Sequence, residues 1–113
     1  MKLLIAIIND PEFLPDIFEE FYKVSINGAT VIDSIGMGHF MATQISFFSR
    51  FAEFDKEPGH NNTLFVVVKS DTETQKAINA IEKVIGDLGK SDSGVVFTLP
   101  IDFCKGLNND LGG

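Results

Sequence analysis

From Leu3 to Ile8 the chain is an unbroken aliphatic run, Leu-Leu-Ile-Ala-Ile-Ile, closed by Asn9, Asp10 and Pro11. A short β-favouring run bounded by turn-forming residues is how a strand buried on both faces reads. It is too short for the apolar stretch of a secretory signal, and no run in the chain approaches the ~18 residues of a membrane span. A strand of this kind needs cover on both sides, so it predicts a sheet with helices on one face and a further apolar contact on the other.

The rest of the chain supplies the partners. Phe13, Leu14, Ile17, Phe18, Phe21 and Val24 recur at helical spacing, with Asp10 as N-cap, Pro11 at the first helical position and Glu12 in the first turn; they predict a helix over 11–24. Asn27-Gly28 breaks that pattern, and Ala29 to Ile35 reads as a second strand ended by Gly36-Met37-Gly38. Thr63 to Lys69 predicts a third strand, after a polar turn through residues 55–62. Ser70 or Asp71 caps a second helix whose buried stripe is Ala77, Ile78, Ile81, Val84 and Ile85. Gly86 to Gly94 is turn-rich, Gly94 to Leu99 predicts a fourth strand stopped by Pro100, and the tail over 102–113 thins into Gly, Asn and Asp, with mobile final residues expected. The order β-α-β, insertion, β-α-β predicts one α+β domain over 1–113, the ferredoxin-like βαββαβ pattern with a four-stranded antiparallel sheet backed by two helices. One layer of helices leaves the second sheet face open, so strands this apolar predict oligomerisation through the sheets.

At 113 residues there is room for one domain. Nine Lys plus Arg against sixteen Asp plus Glu give a net charge of −7, which argues against nucleic acid or an anionic membrane surface as the partner. The single cysteine, Cys104, excludes an internal disulfide and any multi-thiolate metal site, so a cytoplasmic protein without membrane insertion is expected.

Candidate functional residues are few. Gly36-Met37-Gly38 lets backbone N–H groups approach an anion, and equally suits a turn that merely leaves the strand. The segment 87–94 offers hydroxyls, Lys90 and a flexible backbone, in the composition of any surface loop. His39 and His60 bracket the insertion without a third ligand at metal-site spacing, so no metal site is expected. Ser91 and Ser93 have no elbow motif or base, and Cys104 has no nearby Cys or helix N-terminus to activate it; no catalytic constellation is present. Asp16, Glu19 and Glu20 read as a solvated helix face. The insertion over 39–60 is unusually aromatic: the spacing of Phe47, Phe48, Phe51 and Phe54 predicts a short amphipathic helix near 43–54. Together with Phe40 these residues either bury against the body or are displayed to a partner.

The element order and four stretches together resemble the PII signalling family, the nitrogen regulatory protein P-II, and more closely its divergent PII-like members. Ile26-Asn27-Gly28-Ala29-Thr30-Val31 resembles the turn into the family's second strand, Gly36-Met37-Gly38 the base of its T-loop, and Ser93 to Ile101 its B-loop and last strand; Lys2 to Ile8 is similar to its first strand. The resemblance implies a homotrimer whose lateral clefts bind a nucleotide or other small anionic effector. It also implies that a target protein reads the insertion over 39–60, in nitrogen or carbon metabolism. It places Thr30, Gly36 and Gly38 on the cleft floor and Asp92, Ser93, Gly94 and Phe97 on the B-loop side, and Met37 and His39 beside the glycines are taken as effector-binding candidates with them; Phe40, Phe47, Phe48, Phe51 and Phe54 of the insertion are the candidates for partner binding. The B-loop lysine of the family falls on Val95, the lysine ahead of the third strand near Asn61, and the residues after the second T-loop glycine on His39 and Phe40. Lys105 is the only base beyond Lys90, and the only tyrosine, Tyr22, lies in the first helix. A polyphosphate would therefore meet few counter-charges. Two other readings of the same scaffold are a small cleft enzyme with His39 as general base, and a metal-responsive trimer like the CutA proteins with His39, His60 and Cys104 as ligands.

Overall fold

A computed structural model describes residues 1–37, 60–90 and 92–107. The aliphatic run forms strand β1, Lys2–Ile8. The Asp10 side chain accepts the Glu12 N–H at 2.9 Å and starts a 3-10 turn, Pro11–Phe13, which leads into helix α1, Leu14–Lys23. Strand β2, Thr30–Ile35, and strand β3, His60–Val68, follow. Helix α2 spans Asp71–Ile85, and strand β4 spans Gly94–Pro100. Ser70 caps α2 by accepting the Glu73 N–H at 3.1 Å, while Glu73 reaches back to accept the Lys69 N–H at 2.8 Å, so the two side chains serve two backbone donors at the helix start. No helix among the described residues is long and apolar enough to cross a membrane.

The four strands lie in the order β2-β3-β1-β4, every neighbouring pair antiparallel. Because side chains alternate across a strand, the register decides which residues share a face. Leu4 stands opposite Val66 and Ala6 opposite Leu64; with Ile8 and Val68 they are buried under Ile17 and Phe21 of α1 and Ala77, Ala80, Ile81 and Ile85 of α2. On the other face Ile5 stands between Phe65 and Phe97, Leu3 between Val67 and Leu99, and Ile7 between Thr63 and Val95. No described element covers that face: Ile32, Val95, Phe97 and Leu99 are 50%, 48%, 43% and 46% exposed.

Three expectations change. The polar turn expected through Asn62 ends earlier, because His60, Asn61 and Asn62 are the first residues of β3. Asn61 and Asn62 are buried there, each amide bonded sideways at one end: Ser34 Oγ donates to Asn61 Oδ1, and Asn62 Nδ2 donates to Asp33 Oδ1 at 2.8 Å. Pro100 does not stop β4 but is its last residue, opposite Lys2; on an outer strand a missing N–H on the solvent side breaks no ladder bond. Glu20 is not simply solvated. Its side chain is only 15% exposed and bridges Lys23 at 3.1 Å and Lys83 at 3.3 Å, tying α1 to α2. The segments 38–59 and 108–113 and residue 91 lie outside the described residues, and with them the short helix near 43–54, the phenylalanines of the insertion and the end of the tail.

The Lys23 hydrogen bond, then that from Lys83, holds the Glu20 carboxyl below its ordinary range, against the opposing effect of partial desolvation. A carboxylate whose pKa is depressed on folding contributes stability above its unfolded pKa, near 4.3, and loses it as pH falls through the lower folded value. Glu20→Gln is therefore expected to be less stable than the unsubstituted chain at pH 7, with the difference vanishing in strong acid; equal urea midpoints at pH 7 would show that the bridge contributes nothing.

Candidate functional site

Antiparallel alternation brings the C-terminal ends of β1 and β2 and the N-terminal ends of β3 and β4 to one end of the sheet. Asn9, Gly36, Met37, His60–Asn62 and Asp92–Gly94 collect there, so six of the sequence's candidates meet at one rim: Gly36, Met37, His60, Asp92, Ser93 and Gly94. They are not side by side. Gly36 follows β2 on one outer strand and Gly94 opens β4 on the other; three strand intervals of ~4.8 Å separate them by about 14 Å.

On the β2 side, a Cβ added at Gly36 would lie 3.2 Å from Asn61 Nδ2, so the glycine lets the chain leave the strand close against the buried asparagine. Ser34 Oγ also lies 2.8 Å from Thr63 Oγ1, forming a small polar cluster with Asn61 on the otherwise apolar sheet face. Asn62 Oδ1, on the helix face, is buried without a hydrogen-bond partner. Met37 is 80% exposed. Thr30 begins β2 at the opposite end, six residues and about 20 Å from Gly36, beside a groove of about 510 Å³ lined by Phe18, Phe21, Tyr22, Ile26 and Ala29. Only a ligand stretched along β2 spans Thr30 and Gly36.

On the β4 side, the loop from Gly86 to Ser93 is built by its own polar groups. Gly86 has φ +94°, a conformation glycine adopts without strain, and turns the chain off α2. Glu82 reaches from the last turn of α2 to accept the Leu88 N–H at 2.9 Å, and Asp87 accepts the Gly89 N–H at 2.8 Å. The far end of the loop is fastened to β1. Asn9 donates its backbone N–H to Ser93 O at 2.8 Å and its side-chain Nδ2 to Asp92 O at 2.6 Å. At Gly94 a Cβ would stand 2.6 Å from Ile7 O, so no side chain fits where the loop enters β4. Phe97 lies about 10 Å further along, on the open sheet face with Val95 and Leu99, and not at the rim. Neither Asn9 nor Glu82 stood out in the sequence, since Asn9 is the first residue of an ordinary turn signal and Glu82 one of several acidic residues on a helix.

Gly38, His39, Phe40, Phe47, Phe48, Phe51 and Phe54 lie outside the described residues. Cys104 is exposed in the segment after β4, and no group of three metal-ligating side chains occurs among the described residues.

This arrangement has known counterparts. The crystal structure of Arabidopsis thaliana PII bound to citrate matches with a TM-score of 0.63 and 23% identity, covering 88% of this chain and 76% of that one, and so shares its fold. No curated protein matches the sequence. The sequence model described as Nitrogen regulatory protein P-II matches residues 1–109, nearly the whole chain, and on that match the protein belongs to the nitrogen regulatory protein P-II family of regulatory signalling proteins.

Proposed function

We propose that the protein is a trimeric, non-enzymatic sensor. A small effector binds between neighbouring copies, and the segment over 39–60 reports its presence to a target protein in the cytoplasm. The observation that carries this reading is the division of the rim. Its two glycine-bearing halves, at Gly36 and Gly94, sit about 14 Å apart on opposite outer strands, too far to grip one compact ligand from within one copy. If copies pack in a ring, the β2 edge of one faces the β4 edge of the next, and the halves of the site meet. The uncovered sheet face, with Ile32, Val95, Phe97 and Leu99 exposed beside Ile5 and Phe65, supplies the apolar surface for such packing.

The effector class follows from charge. Among the described residues Asp33, Asp87 and Asp92 outweigh Lys90 near the rim, Val95 is apolar, and the chain carries −7 overall, so a polyphosphate finds little compensation there. A small anion is consistent with the citrate bound to the Arabidopsis PII, and a lightly charged nucleotide fits equally. The test is a thermal-shift series with ATP, ADP, AMP, citrate and 2-oxoglutarate on the full chain, followed by calorimetry. A ligand at 100 times its Kd adds about 2.7 kcal/mol of stability. AMP and ATP are expected to bind within about threefold of each other; a hundredfold loss on truncation from ATP to AMP would refute the weak-phosphate reading.

A further inference from the structure

The last residues of the loop ahead of β4 are fastened by one residue just past the end of β1. Asn9 makes two hydrogen bonds to two consecutive carbonyls, its backbone N–H to Ser93 O at 2.8 Å and its amide Nδ2 to Asp92 O at 2.6 Å. Two adjacent peptide planes are thereby fixed by one anchor. Turn chemistry does not account for this side chain: Asp10 caps the 3-10 turn and Pro11 begins it, while Asn9 faces the other way in sequence, across 83 residues. No peptide bond among the described residues is cis, so the N–H of Gly94 points opposite to the Ser93 carbonyl that Asn9 holds. Since β4 is an outer strand, that N–H projects off the free edge of the sheet, away from β1. A Cβ at Gly94 would stand 2.6 Å from Ile7 O, so only glycine fits at this point of the edge.

We propose that Asn9 is a positioning residue for effector binding: it orders the 92–94 edge before a ligand arrives and aims the Gly94 N–H at an acceptor oxygen of the effector. This rests on the trimeric-cleft reading, because the edge that Gly94 faces is part of a site only when a neighbouring copy lies against it. Asn9 touches no effector in this scheme. Its contribution is the population of the competent loop conformer; if that population falls to one tenth, the apparent affinity falls tenfold with every direct contact intact.

Two variants test it. Asn9→Asp keeps the shape and replaces the donor with an anionic oxygen facing the Asp92 carbonyl, while Asn9→Ala removes the side-chain bond and keeps the backbone one. The readouts are ¹⁵N order parameters of Ser93 and Gly94 in the full chain, the thermal midpoint, and calorimetric titration with AMP. The expected result is that order parameters fall from about 0.85 toward 0.6 in both variants, with the midpoint nearly unchanged and AMP affinity reduced about tenfold. Order parameters unchanged in Asn9→Asp would overturn the proposal. So would a loosened loop that binds AMP as tightly as before. If the unsubstituted chain binds no AMP while the loop still loosens in both variants, Asn9 stands as the anchor of the edge and it is the cleft reading that fails.

Discussion

Phe97→Asp is expected to leave a folded monomer of 12.4 kDa. Phe97 is 43% exposed on the open sheet face, directly opposite Ile5 and two residues from both Val95 and Leu99. In a single copy the new carboxylate is solvated and touches nothing in the helix-side core, so circular dichroism and cooperative unfolding should be close to those of the parent. In the proposed trimer the same carboxylate would be driven into an apolar contact once per copy, and burying an unpaired charge costs several kcal/mol each time. That exceeds what an interface of ordinary affinity can absorb. Sedimentation at micromolar concentration checks it. A variant that keeps the oligomeric mass of the parent would move the interface away from this face.

The second large effect is Gly94→Val. A Cβ at this position stands 2.6 Å from the backbone oxygen of Ile7, a distance real Cβ atoms do not adopt, and 3.5 Å from Ile85 Cδ1. Because the clash is with backbone, no rotamer relieves it; β4 must separate from β1 where the ladder begins. The expected cost is about 3 kcal/mol, at the upper end of overpacking, visible as a lower urea midpoint with little change in slope. Effector binding should be lost as well, since the displaced strand carries the 92–94 edge with it. Gly89→Ala is the control in the same loop: its Cβ lies 3.2 Å from Asp87 Oδ1, the movable end of a surface side chain, and a change within about 0.5 kcal/mol is expected. Similar losses in both variants would mean that the loop, and not the Ile7 contact, sets the cost.

The parts of the fold that depend on local pattern were readable from the residues. The aliphatic run gave β1, the spacing of Ile17 and Phe21 gave α1, that of Ala77, Ile81 and Ile85 gave α2, and the order of these elements gave the sheet. The start of β3 was not, because Asn61 and Asn62 carry the composition of a turn; they sit in a strand where Ser34 and Asp33 of the paired β2 each bond one end of their amides. Nothing in the local sequence states that those groups will be neighbours. Asn9 is the same case at greater range, since its meaning arises only when β1 and β4 pair across 83 residues. Gly36 was legible as a position that tolerates close backbone approach, and Gly94 as part of a flexible loop. Their placement on opposite outer strands, which divides the rim, required the strand order. The open face was legible too, as an excess of apolar side chains over what one layer of helices covers.

The proposed cleft exists only if copies of the chain complete one another's rim, and the mass of the protein in solution decides whether they do. Light scattering coupled to gel filtration at micromolar concentration should return three copies of 12.4 kDa, about 37 kDa, without added ligand. A mass of 12.4 kDa that persists across the micromolar range, with or without AMP or citrate, would contradict it: the halves at Gly36 and Gly94 would then never meet.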